Sequence, residues 1–87
     1  MKHLATYIER KNAMAAFFKE PLLNIRNLDQ AAAQRLWEEL ESNLSPENLT
    51  CDGELDAATV RERRALYKGA QKDLAAKFQI KEVDYGY

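Results

Sequence analysis

One cysteine, one histidine, three glycines and two prolines among 87 residues leave several chemistries without their parts. Cys51 alone cannot close a disulfide within the chain, which fits a reducing compartment. His3 and Cys51 fall short of the four Cys/His-type ligands of a usual zinc site. A Ser/His/Asp or Cys/His centre would need His3 held beside a nucleophile, and His3 sits near a terminus where mobility is expected. Gly53, Gly69 and Gly86 stand apart, so no glycine-rich phosphate loop is present. The opening residues MKHLATYIERKN carry no long apolar run, and no stretch approaches the ~20 apolar residues of a membrane span. We therefore expect no signal peptide and no membrane insertion. No residue receives a catalytic, cofactor-binding or metal-binding role, and the expectation is a protein that is not an enzyme.

What is present is the makings of one small domain. Hydrophobic residues form 46% and charged residues 31%, a globular balance. Runs rich in Ala, Leu, Glu, Arg and Lys favour helix, so the expected fold is all-α. The net charge of −1 argues against a general polyanion binder, but the charges are segregated. From Glu38 to Asp56 there are seven acids and no base, and from Arg61 to Lys81 seven bases and two acids. Two oppositely charged helical segments that pair with each other are the plainest expectation.

The spacing of apolar residues predicts three helices, over about 3–19, 28–44 and 55–79, followed by a tail at 80–87. In the first, Leu4, Tyr7, Ile8, Met14, Ala15 and Phe18 share a face with Lys11 in its middle, and Pro21 is the expected stop. The second has Asn27 as its expected N-cap, with Gln30 three residues on. Its apolar face is Ala33, Leu36, Trp37, Leu40 and Leu44, with Trp37 the expected anchor of the core; Ser45-Pro46 closes it. The third carries Val60, Tyr67 and Leu74 at seven-residue spacing, interrupted by Arg64 and Gln71 and weakened by Gly69. Helices two and three are expected to form an antiparallel hairpin crossed by helix one, as a single domain over 1–87.

Candidate contact residues fall in two places. Arg61, Arg63, Arg64 and Lys68 on the third helix would suit phosphates, but no aromatic–basic interleaving accompanies them. Phe17, with Phe18 and Leu22, either extends an apolar surface for a partner or packs under the Leu22–Ile25 connector. Lys11 sits at an edge, its stem on apolar neighbours and its amine in water. The loop from Asn48 partly matches a calcium-binding frame, with Gly53 at the turn, but Thr59 stands where a bidentate carboxylate is needed, so no calcium is expected. The Val60–Tyr67–Leu74 seam and the complementary charged segments also suggest a homodimer.

The run Arg35-Leu36-Trp37-Glu38-Glu39-Leu40-Glu41, followed by Ser45-Pro46-Glu47-Asn48-Leu49-Thr50-Cys51-Asp52-Gly53-Glu54-Leu55, resembles a segment of small uncharacterised helical proteins of bacteriophages and prophages. The resemblance spans residues 27–78 and carries no catalytic signature. It implies a bacterial host cytoplasm and a phage protein that binds a host or phage protein, modulating or inhibiting a host complex. The alternative expectation is a small nucleic-acid-associated protein using the basic third helix.

Overall fold

Three short polar side chains decide where helices begin. Asp29 accepts from the Ala32 N–H at 2.7 Å, Asp56 from the Thr59 N–H at 2.9 Å, and Ser45 from the Asn48 N–H at 3.4 Å. Each satisfies a donor that a first helical turn leaves without a partner. The Thr59 hydrogen bonds also hold the Asp56 carboxyl below the ordinary aspartate range. In the computed structural model, which describes residues 2–85, the elements are α1 (Lys2–Phe17), a 3-10 turn (Ile25–Asn27), α2 (Gln30–Asn43), α3 (Pro46–Leu49) and α4 (Ala57–Lys77). The domain is all-α, with no strand among the described residues.

The boundaries correct several expectations. Asn27 does not cap α2; it closes the 3-10 turn, and Asp29 caps the helix two residues later. Ser45 does more than follow α2, because it caps α3, with Pro46 in the first turn where a missing N–H is harmless. Pro21 is not what stops α1. The helix ends at Phe17, and Lys19 turns left-handed at φ 56°. The Glu20 N–H then donates to the Ala15 carbonyl at 2.8 Å and the Lys19 N–H to Ala16 at 3.4 Å. This is a Schellman ending with lysine where glycine is usual. α3 ends the same way, with the Asp52 N–H on the Glu47 carbonyl at 2.9 Å, and Cys51 (φ 49°), Asp52 (φ 56°) and Gly53 (φ 85°) all lie in the left-handed region. Of the expected tail, residues 86 and 87 lie outside the described ones, as does Met1.

α4 is the hub. Leu4 of α1 lies against Asp73 and Tyr7 against Tyr67, while Gln71 reaches Trp37 and Glu41 of α2. Leu4–Asp73 and Tyr7–Tyr67 run in opposite directions, as do Gln30–Gln79 and Trp37–Gln71, so α1 and α2 each pack antiparallel to α4. The body measures 34 × 32 × 19 Å, and its thin dimension is about two helix diameters. Leu4, Leu40 and Leu74 are fully buried at its centre, each burial stabilising by roughly 1.5–3 kcal/mol. Trp37 is buried beside them, its Nε1 without a hydrogen-bond partner.

The buried face of α4 is Leu66, Ala70, Gln71 and Leu74. Gln71 does not interrupt it: its amide donates to the Trp37 carbonyl at 3.3 Å and the Glu41 carboxylate at 3.1 Å. Of the Val60–Tyr67–Leu74 seam, Leu74 lies in the core and Tyr67 packs edge-on to Tyr7 at 5.7 Å. Gly69 has a packing reason, because a Cβ there would lie 2.3 Å from the His3 ring. α1 crosses α4 at that point, and His3 belongs to the crossing instead of a loose terminus. The Leu4 N–H, at the open start of α1, donates to Asp73 at 2.9 Å.

Two extended segments are pinned by one repeated device. The Asn12 carboxamide donates to the Leu23 carbonyl at 2.6 Å and accepts the Leu23 N–H at 2.8 Å. Gln34 does the same to Lys81, at 2.9 and 2.8 Å. Gln30 grips Gln79 likewise, accepting its N–H at 3.1 Å and donating to its carbonyl. A side-chain carboxamide carries the same donor and acceptor as a peptide group, so it pairs as a neighbouring strand would. Four residues along α2 rise ~6 Å and two residues of extended chain span about 6.6 Å, so Gln30 and Gln34 fall in register with Gln79 and Lys81. Ile80 and Val83 then pack half-buried on the core.

Candidate functional site

The residues that the fold leaves over, together with the buried Tyr7, gather on one side of α1. At 100° per residue, Tyr7, Arg10, Lys11, Met14, Phe17 and Phe18 fall within about 120° of arc. Leu4, Ile8 and Ala15, on the adjoining side, are buried. The middle of the first face borders a cleft of about 320 Å3, closed by Glu39 and Asn43 from α2 and by Arg63, Leu66 and Tyr67 from α4.

The cleft is basic and rich in donors. Lys11 forms an ion pair with Glu39. Arg63 is fixed: its Nε donates to the Leu49 carbonyl at 3.1 Å, an Nη to the Asn48 carbonyl at 3.2 Å, and its guanidinium lies 5.4 Å from the centre of the Tyr67 ring. Arg10 is exposed and has no hydrogen bond or ion pair among the described residues. Glu39 thus balances Lys11, while Arg10 and Arg63 face no carboxylate. Burial, then the Glu39 charge, pushes the Tyr7 hydroxyl well above the ordinary tyrosine range, against a long contact from Asn43 at 3.5 Å. Tyr7 therefore stays a neutral donor throughout the physiological range.

Beyond the cleft the same face turns apolar. Met14, Phe18 and Leu22 are more than half exposed and Phe17 is 80% exposed. This corrects the expected core stripe, in which Met14 and Phe18 were members: in the last turn of α1 only Ala15 is covered. It also removes the alternative that Phe17 packs beneath the connector. Phe17 and Phe18 touch only edge to face, with ring centres 5.2 Å apart.

The six candidate contact residues separate into two groups. Lys11 and Arg63 line the cleft and Phe17 lies beyond it, while Arg61, Arg64 and Lys68 are exposed on the outer side of α4, in a stripe continued by Lys72. The expected pairing of the acidic and basic segments is not made. Among the described residues, no ion pair joins the acids of α2 to the bases of α4; Glu39 turns to Lys11 and Glu41 to Gln71. Sequence reasoning passed over Arg10 and assigned Met14 to the core; Tyr7, also assigned there, is buried and turns its edge to the cleft. Their spacing with Phe17, at i, i+3, i+7 and i+10, was the available signal.

The loop after α3 uses its side chains to close itself. Thr50 Oγ1 donates to the Pro46 carbonyl at 2.6 Å and accepts from the Gly53 N–H at 3.1 Å, while Asn48 donates to Ser42 at 3.0 Å. Among the described residues no group of three or more His, Cys, Asp or Glu is placed to hold a metal, and no helix is long and apolar enough to cross a membrane. Comparison with protein-family models, with curated proteins and with solved structures finds no match for this chain.

Proposed function

We propose that the chain is a non-enzymatic protein-binding module whose contact face is the second half of α1. The observation that carries this reading is Phe17, a large aromatic side chain 80% exposed and flanked by the exposed Met14, Phe18 and Leu22. A run of large apolar groups at the surface serves no folding purpose and marks an interaction site. Aromatic residues of this kind are the usual anchors of interfaces. The phage resemblance adds a bacterial host protein as the partner, which the module would redirect or block. The test is recovery from bacterial lysate by the tagged chain, compared with a Phe17→Asp/Phe18→Asp variant of unchanged helicity. A stoichiometric protein held by the wild type and released by the variant is the expected result. A protein held equally by both overturns the reading.

A second reading rests on a different surface. Arg61, Arg64, Lys68 and Lys72 lie along one exposed line of α4, a geometry suited to a nucleic-acid backbone. Duplex binding that weakens steeply with salt, and that Arg61→Glu/Arg64→Glu abolishes while Phe17→Asp does not, would favour it.

A further inference from the structure

We infer that the partner presents an acidic segment bearing an apolar side chain about 10 Å from its carboxylate, the acid entering the cleft beside Arg10 and Arg63 and the apolar group covering Phe17. This rests on the protein-binding reading and specifies the chemistry of its ligand. With Lys11 and Glu39 paired to each other, the charges left over in the cleft, Arg10 and Arg63, are both positive. Arg63 is already oriented by two backbone carbonyls, so little ordering remains when an anion arrives. Arg10, without a partner among the described residues, and the neutral Tyr7 hydroxyl add donors for the same anion. A carboxylate accepts such convergent donors, and a guanidinium matches it two bonds at a time.

The occupant must also satisfy apolar surface. Met14 belongs to both parts, lining the cleft and lying one turn from Phe17 and Phe18. A polyphosphate has no apolar group to set against the wall made by Met14 and Leu66. Seven residues separate Arg10 from Phe17, a rise of about 10 Å along α1. An extended peptide covers that in three residues at ~3.3 Å each, so an acid followed three positions later by Leu or Phe spans both parts.

The probe is a fluorescein-labelled peptide with two adjacent aspartates and, three residues on, Leu-Phe, titrated against the full chain by anisotropy. Arg10 has no contact to lose within the fold, so Arg10→Glu reports on binding alone. We expect at least a tenfold loss of affinity in Arg10→Glu, a similar loss when the aspartates become lysines, and partial recovery when that lysine peptide meets Arg10→Glu. Resonances of Met14 and Tyr7 should shift on binding, and those of Lys68 and Lys72 should not. Equal affinity for the aspartate and lysine peptides, or an Arg10→Glu variant that binds as the wild type does, overturns the inference. So does displacement of the peptide by equimolar inorganic phosphate, which would mark a phosphate site. Absence of binding up to millimolar concentration overturns it too. A lysate partner still released by Phe17→Asp/Phe18→Asp would then leave the protein-binding reading standing with a different ligand chemistry.

Discussion

Leu4, Tyr7 and Ile8 in the first half of α1 are buried against the body, whereas Met14, Phe17 and Phe18 in the second half are mostly exposed. The two halves are about equally apolar. What differs is the surface opposite. The first half meets α4 where Gly69 lets the helices approach and Asp73 receives the Leu4 N–H. In the second half Ala15 is still covered, but the side bearing Met14, Phe17 and Phe18 lies mostly open. Stability and contact surface are therefore carried by separate turns of one helix, and substitution can separate them.

The sharpest contrast comes from truncating Leu4. It is fully buried, so Leu4→Ala should cost about 2–5 kcal/mol, read as a lower urea midpoint with unchanged slope. Gly69→Ala tests the close approach that buries this half. The added methyl would collide with the His3 ring, and we expect a net loss of about 1–2 kcal/mol after the ~1 kcal/mol gain in helix propensity; a stabilised variant would show that the crossing has slack. At the other end, Lys19→Gly should stabilise by roughly 0.5–1 kcal/mol, because it relieves a left-handed lysine that ends the exposed half. Thermal melts would check this, and no gain would mean that the turn is set by the chain around it.

Tyr7 links the halves. Its raised pKa means that the folded state holds the phenolic proton more tightly than the unfolded one. The stability this gives is present below the ordinary tyrosine pKa of ~10 and is lost as pH rises through the folded value. Melting temperatures above about pH 10 should fall less in Tyr7→Phe than in the wild type. Phe17→Ala should have the smallest effect, within ~0.5 kcal/mol of wild type by urea denaturation. A larger loss would show that the exposed half supports the fold after all.

Residue pattern was enough for the three long helices, the apolar face of α2 and the burial of Trp37, but not for the short α3. These depend on local periodicity, which survives without knowledge of neighbours. It failed where one segment's fate depends on another. Nothing local distinguishes Met14 from Ile8; only the reach of α4 and α2 does. Gln71 reads as a flaw in an apolar face until Trp37 and Glu41 are placed opposite it. Gly69 reads as a weak helix position until His3 arrives from the far end of the chain. The candidate face was half legible: Lys11, Phe17 and Arg63 were singled out, but the cleft that joins Lys11 to Arg63 needs three helices to exist.

The carboxamide clamps have a consequence for which positions are free to vary. Asn12, Gln30 and Gln34 read only the backbone of Leu23, Gln79 and Lys81, never their side chains. The specification is therefore one-sided. Most residues other than proline at 23, 79 or 81 still offer the same N–H and C=O, whereas glutamate at 34 would set a carboxylate against a carbonyl and lose the donor. Because the clamps carry no charge, salt should not loosen them, unlike the Lys11–Glu39 pair. The exposed Gln79 and Lys81 could therefore change while the chain keeps its path, whereas Leu23, Ile80 and Val83 are also held by their packing on the core.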